Sequence, residues 1–235
     1  MGKKAQRAAI NNQKIMLYIV ATPIGNLEDI TLRALRTLKE VDYIAAEDPR
    51  HTKILVNKYE IDTQLLSYHS YSSPAKLEKI VDLLKEGKNV ALVSDAGTPG
   101  ISDPAYSLIN RAIEEDVRVV PIPGASSLLT ALVASGLPMD KFLHLGFLPL
   151  KKGRQTLLNS IKEEPRTLVI FESPHRIART LKDLQEYLGD RDIAVCRELT
   201  KIYEEVLRMK ISEAAAHFEI KKPKGEFVLV VKGLK

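Results

Sequence analysis

Asn89-Val90-Ala91-Leu92-Val93-Ser94-Asp95-Ala96-Gly97-Thr98-Pro99-Gly100-Ile101-Ser102-Asp103-Pro104 is an apolar run that ends in small, turn-forming and ring-locked residues. A buried strand that hands over to a helix through such a loop is the repeating unit of α/β architecture, and the loop backbone can approach a ligand closely. Asp95 adds one fixed negative charge at the rim. The segment also carries a helix start, with Asp103 as N-cap and Pro104 at the first helical position ahead of Ala105 to Glu114. Capping accounts for Ser102 to Pro104 and leaves Asp95 to Gly100 over. These become candidate ligand contacts, because open α/β sheets bind at the carboxyl ends of their strands. The first strand exits through Ala21-Thr22-Pro23-Ile24-Gly25-Asn26 and not through G-x-G-x-x-G, and no G-x-x-x-x-G-K-[ST] occurs. This argues against a Rossmann NAD enzyme and a P-loop ATPase.

Working outward, short apolar runs alternate with segments of helical period, which predicts α/β architecture with mainly parallel strands in the first half. Strands are expected at Ile15 to Val20, Tyr43 to Ala46, Leu65 to Tyr68, Asn89 to Val93 and Arg118 to Ile122. Ile30 to Lys39 carries Ile30, Ala34, Leu35 and Leu38 on one helical face; a second amphipathic helix starts at Ser73-Pro74 and stops at Gly87. Pro121-Ile122-Pro123-Gly124 breaks the pattern and marks a domain junction near Pro123. The expected division is a basic tail over residues 1–14, an α/β domain over 15–122 and a second α/β domain over 123–235. In the second, helices are expected from Ser126 to Ser135, Arg154 to Lys162 and His175 to Tyr187. Strands are expected near Phe142 to Leu145 and at Thr167 to Phe171, Ile193 to Cys196, Glu205 to Met209 and Glu226 to Val231. The later strands have less helix between them, which suggests a mixed sheet.

Of 235 residues, 45% are hydrophobic and 28% charged, enough for a substantial core in one large or two small domains. The net charge of +5 favours an anionic partner, nucleic acid first, although a solvated Lys/Glu surface gives the same balance. Cys196 is the only cysteine and lies in an apolar run, so a buried residue is expected in place of a disulfide. The five histidines share no ligand spacing, and no metal is expected. Lys3, Lys4, Arg7 and Lys14 precede the apolar run from Ile15 to Ala21, which is far shorter than the ~20 residues of a membrane span. A first strand and a cytoplasmic protein without a membrane partner are the expectation.

Polar clusters follow several strands: Thr22 to Asn26, Glu47-Asp48-Pro49-Arg50-His51-Thr52, Ser94 to Asp103, Glu172-Ser173-Pro174-His175-Arg176 and Arg197-Glu198-Leu199-Thr200-Lys201. Taken singly, Asp48 or Ser173 can cap a helix, and Arg50 or Arg176 can make surface ion pairs worth little. Acid, base and cation recurring at each strand exit point instead to a shared crevice.

These clusters, together with Leu17 to Asn26, Ala45-Ala46-Glu47-Asp48, Pro121 to Gly124 and Lys224-Gly225-Glu226-Phe227-Val228-Leu229-Val230-Val231, closely resemble the ribosomal RNA small subunit methyltransferase I family of the tetrapyrrole methylase superfamily. The resemblance runs from Leu17 to Gly233 in unbroken order. It implies two α/β domains with a cleft between them and a homodimer. It also implies S-adenosylmethionine-dependent 2′-O-methylation of a cytidine ribose in the decoding region of 16S ribosomal RNA within the small subunit. Carried over by position, the cofactor contacts are Ile24, Gly25, Asp95, Ala96, Gly97, Thr98, Ile101, Ser126, Ser127, Phe171 and Glu172. Pro49 stands where the family usually has Thr, and Ala105 where it usually has Gly; Pro49 puts a substrate hydrogen bond from that position in doubt.

A ribose hydroxyl is a weak nucleophile at neutral pH, so a base, or a cation that stabilises the developing alkoxide, assists alignment. Candidates are Asp48, His51, Glu172, Glu198 and Lys201, with Glu198 and Lys201 favoured as a hydroxyl-positioning pair; a structural ion pair is the alternative. RNA contacts are expected from Arg50, His51, Lys151, Lys152, Arg154, His175 and Arg176, with the tail, Lys221 and Lys222 adding charge and Tyr68, His69 and Tyr71 offering stacking surfaces. Two rival functions use the same residues: methylation of a small tetrapyrrole on this fold, and non-catalytic binding of RNA or a nucleotide.

Overall fold

The computed structural model describes residues 15–69, 73–102, 105–220 and 224–234. The chain divides between Ser126 and Ser127, four residues beyond the expected junction. Expectations for Lys3, Lys4, Arg7, Tyr71, the Asp103-Pro104 cap, Lys221 and Lys222 fall outside the described residues.

The first unit runs β1 (Met16–Val20), α1 (Leu32–Glu40), β2 (Tyr43–Ala46), α2 (Pro49–Lys58), β3 (Gln64–Ser67), α3 (Pro74–Lys85), β4 (Val90–Val93), α4 (Tyr106–Glu114) and β5 (Arg118–Ile122). Its five strands are all parallel, in the order β3-β2-β4-β1-β5. The central strand β4, Val-Ala-Leu-Val, is buried throughout, as a strand covered on both faces must be. Alternation assigns the faces. Leu17, Ile19 and Leu92 pack with Ile80, Val81 and Leu84 of α3 and Leu108 and Ala112 of α4. Val20, Ala91 and Val93 pack with Ala34 and Leu38 of α1 and Leu55 and Val56 of α2. The chain therefore leaves β1 toward one face and the adjacent β4 toward the other, which opens a crevice at their carboxyl ends.

Local chemistry sets the helix ends. Thr31 accepts from Ala34 N at 3.0 Å to start α1. Asp48 caps α2, with Oδ1 2.9 Å from Arg50 N, and Pro49 occupies the first turn, where a missing amide removes no helical bond. Ala105 is buried ahead of α4.

The second unit runs α5 (Ser127–Ser135), β6 (Phe142–Phe147), α6 (Arg154–Ser160), β7 (Thr167–Glu172), α7 (Ile177–Leu188), β8 (Asp192–Arg197), β9 (Glu205–Lys210), α8 (Ile211–Ile220) and β10 (Phe227–Val231). The sheet is mixed, in the order β6-β7-β10-β8-β9, with β6 and β7 parallel and every other pair antiparallel. One face holds a core of Leu168, Ile170, Val195 and Leu229 against Leu158 of α6, Leu181 of α7 and Phe218 of α8. Helix α5 packs on β8, β9 and β10. Cys196 is buried, its Sγ 3.8 Å from the Ala131 carbonyl, and burial pushes its thiol up to about 11. Among the described residues no helix is long and apolar enough to cross a membrane.

Asp192 ties three strand ends together, with Lys210 Nζ at 2.6 Å and Lys232 Nζ at 2.9 Å. Hydrogen bonds from Lys210 and Lys232 hold its carboxyl at about 2, below the ordinary 3.8. A carboxyl depressed on folding stabilises above its unfolded pKa and loses that contribution as pH falls toward the folded value. In urea melts, Asp192→Asn is expected to be less stable than wild type at neutral pH, with the difference closing between about pH 4 and about pH 2.

Candidate functional site

Hydrogen bonds sew together the strand exits of the first unit. Thr22 and Gly97 exchange backbone bonds, N to O at 2.9 Å and 3.0 Å, and Thr22 Oγ1 donates to the Ser94 carbonyl at 3.1 Å. Asp95 Oδ1 accepts from Asp48 N at 3.0 Å, and Asp95 N donates to Glu47 Oε2 at 3.4 Å. Thr98 Oγ1 reaches the Ala125 carbonyl after β5 at 3.4 Å. The loops after β1, β2, β4 and β5 thus meet at one sheet edge. Beneath it lies a cavity of about 60 Å³ walled by Thr22, Pro23, Leu27, His51, Thr52 and Asp95.

At this edge Gly25, Ala96 and Ile101 are exposed, Ile24 and Gly97 are buried, and Thr98 and Ser126 are half-buried. The Asp95 side chain is 42% exposed, so its carboxylate stands at the rim as an acceptor for a hydroxyl or an ammonium group. His51 Nδ1 lies 3.9 Å from Asp95 Oδ1. Asp48 has a different part from the one expected of it. Its carboxylate caps α2 and takes the Arg50 guanidinium at 2.8 Å, and the side-chain hydrogen bond from Arg50 holds it at about 2, too acidic to collect a proton at neutral pH. A second hollow of the first unit, about 400 Å³ between α3 and α4, is walled in part by Glu78, Arg111 and Glu114, and Arg111 pairs with both glutamates.

In the second unit β7 and β8 both run antiparallel to β10, and Glu172 and Arg197 both register against Phe227. Their polar exits therefore share an edge. The two clusters there behave differently. Glu172 is buried and accepts hydrogen bonds from Thr180 Oγ1 and Ser173 N, with Arg176 Nε 3.3 Å away. Arg154 is only 4% exposed; it pairs with Asp183 at 2.7 Å and donates to Thr180 Oγ1 at 2.9 Å and the Pro149 carbonyl at 3.1 Å. Arg176 donates to the Leu148 carbonyl. These side chains form one internal network. It buries the Arg154 guanidinium and engages both oxygens of the Glu172 carboxylate inside the fold, which speaks against the RNA contact expected of Arg154. Ser127 opens α5, Phe171 is half-buried near the end of β7, and His175, Lys151 and Lys152 are exposed.

The Arg197–Lys201 cluster is the partly open one. Lys201 Nζ lies 2.9 Å from Glu198 Oε1 and 2.8 Å from Glu226 Oε2, while Glu226 N donates to Glu198 Oε1 at 2.9 Å. Desolvation pulls the Lys201 ammonium down, but Glu226 and Glu198 outweigh it and hold its pKa above the ordinary value. Desolvation likewise pushes Glu198 up, and the Glu226 amide with Lys201 brings it below its ordinary value. Both stay charged at neutral pH. Glu198 and Thr200 take positive φ values of 51° and 65°, an arrangement for which the expected motif gave no sign. Among the described residues no cluster of His, Cys, Asp and Glu is arranged to hold a metal ion.

The model of the family described as Tetrapyrrole (Corrin/Porphyrin) Methylases matches residues 16–215. The chain is 52% identical to the Ribosomal RNA small subunit methyltransferase I of Thermotoga maritima, covering 92% of this chain and 98% of that protein. It is 51% identical to the protein of the same name from Halalkalibacterium halodurans, covering 98% and 80%. Among solved structures it is similar to uroporphyrin-III C-methyl transferase from Thermus thermophilus complexed with S-adenyl homocysteine. That likeness has a TM-score of 0.65 at 20% identity over 92% of this chain and 96% of that one.

Gly225 permits the Lys201 cluster. Its φ is 95°, and an added Cβ would sit 2.5 Å from Glu198 Cγ. Gly225→Ala is therefore expected to cost about 1–3 kcal/mol in urea unfolding. An unchanged midpoint would show that the loop relaxes around the methyl group.

Proposed function

Because the chain belongs to the ribosomal RNA small subunit methyltransferase I family, within the tetrapyrrole methylases, we propose that it transfers a methyl group from S-adenosylmethionine to the ribose 2′-oxygen of a cytidine in the decoding region of small-subunit ribosomal RNA. The observation that carries this reading is the 52% identity over 92% of the chain to a relative of that name. Those of the resembling strand exits that lie in the first unit also meet at one edge of it. The same reading makes the small ribosomal subunit the substrate form, a homodimer the working assembly and the cytoplasm the compartment.

When bound, S-adenosylmethionine supplies an electrophilic methyl carbon on a sulfonium with a good leaving group. The donor set at the first unit's edge fits it. The Asp95 carboxylate accepts from its hydroxyl or ammonium groups, and Ile24, Gly25 and Ala96 to Thr98 give backbone contact held in place by the Thr22–Gly97 bridge. For the acceptor hydroxyl, Lys201 offers a charged donor whose direction Glu198 and Glu226 fix. That suits stabilisation of negative charge on oxygen and excludes Lys201 as the base. Arg50, His51, Lys151, Lys152 and His175, all exposed, remain as RNA contacts.

Incubation with methyl-labelled S-adenosylmethionine and small subunits lacking the modification is expected to place label on one decoding-region cytidine ribose. Cofactor binding without label on any ribosomal RNA would overturn the reading. Lys201→Ala is expected to leave cofactor affinity within a few-fold and to lower kcat by about 10²–10³, the usual cost of losing an oxyanion donor. RNA affinity should fall steeply with added salt, while cofactor affinity measured by calorimetry should hardly change; equal salt responses would remove the proposed phosphate contacts.

A further inference from the structure

Strand β6 changes register within itself. His144 pairs with Val169, Gly146 with Ile170 and Phe147 with Phe171, so one extra residue is accommodated between His144 and Gly146. Gly146 takes a φ of 60°, which suits the bulge. Regular alternation would send residues 144 and 147 to opposite faces of the sheet. The bulge instead turns both toward Phe171, on the face away from the core of Leu168 and Ile170. The His144 ring lies 4.8 Å from Phe171 and the Phe147 ring 5.8 Å from it, both inclined at 63°.

Three features of this ring cluster are not explained by packing alone. Phe147 is 53% exposed although it ends a strand of a well-filled sheet. His144 Nε2 is buried without a hydrogen-bond partner, and burial lowers the pKa of the ring, leaving a neutral imidazole with an unused polar atom. The loop that continues from Phe147 is pinned from inside: the Leu148 carbonyl accepts from Arg176 and the Pro149 carbonyl from Arg154. This pinning fixes Phe147 on one side and presents Lys151 and Lys152, both exposed, on the other. An aromatic face with exposed cations a few residues along the chain is the chemistry that holds an unpaired nucleotide, the ring taking the base and the cations the phosphates.

We propose that the exposed face of Phe147, backed by Phe171 and His144, seats one unpaired base of the RNA substrate, with Lys151 and Lys152 meeting the flanking phosphates. The proposal rests on the RNA-methylating function above. It gives Phe171 a part in RNA binding in place of the cofactor contact expected of it. Arg154 and Arg176 act by holding the loop and not by touching phosphate.

The chain contains no tryptophan, so F147W introduces a single reporter that keeps a stacking ring. Its fluorescence is expected to be quenched by an RNA fragment of the decoding region and to be unmoved by S-adenosylhomocysteine. F147A is expected to raise KM for small subunits about ten-fold, the scale of one lost base stack, with kcat and S-adenosylhomocysteine affinity within two-fold. Quenching of F147W by S-adenosylhomocysteine alone would assign the rings to the cofactor, and an unchanged KM in F147A would remove the platform; either overturns the proposal. A wild-type protein that labels no ribosomal RNA would overturn the functional reading instead, and the two failures are distinguished by whether wild type is active.

Discussion

The two backbone hydrogen bonds between Thr22 and Gly97 hold together the strand exits on which the arrangement of the first unit's candidate site depends. They join the exits of β1 and β4, neighbouring strands whose chains then depart to opposite faces of the sheet. Without such a tie, two loops leaving in opposite directions would splay, and the backbone groups between them would be free to turn to solvent. With it, the Asp95 carboxylate is positioned from its own strand and from the Asp48 amide on the next loop. The geometry is set by main chain, which explains why small residues and prolines crowd this stretch while charged residues are few.

In the second unit, burial divides similar charged residues into two kinds. Glu172 ends β7 and Glu198 follows β8, both beside the start of β10. Glu172 is enclosed, and its oxygens are taken by Thr180, Ser173 and Arg176, so it serves as an internal anchor. Glu198 keeps part of its surface in solvent and shares Lys201 with the exposed Glu226. A carboxylate with every oxygen committed inside the fold fixes structure, whereas one sharing an ammonium near the surface can pass its orientation on to another group.

Much of this was legible in the sequence. The continuous apolar runs of β1 and β4 and the turn residues after them point to the parallel sheet, because fully buried strands have few other ways to appear. The change in texture after residue 190 announced a mixed sheet. Helix α8 was passed over although Ile211, Ala214, Ala215 and Phe218 follow helical spacing; its run of alanines gives a weak apolar signal between two stronger strands. Arg154 followed Lys151, Lys152 and Gly153 and so resembled surface charge. Its burial depends on Asp183 and Thr180 from α7, a pairing that no local pattern contains. The bulge in β6 was hidden for a related reason: strict alternation separates His144 from Phe147, and only the register against β7 reunites them.

The same argument revises what the net charge of +5 means. Arg111 is held by Glu78, Glu114 and Glu115, Arg166 by Glu164, and the buried Arg191 by the carbonyls of Lys162, Glu164, Leu188 and Lys232. Guanidinium groups suit these tasks because one planar fork can satisfy several acceptors at once. Lysines at the loop tip, such as Lys151 and Lys152, are left to the solvent. These ion pairs are already cancelled in the net figure, so they leave its size unchanged and localise the part available to a polyanion. Arginine supplies rigidity inside the fold, and lysine supplies the exposed cations of the loop that Arg154 and Arg176 hold.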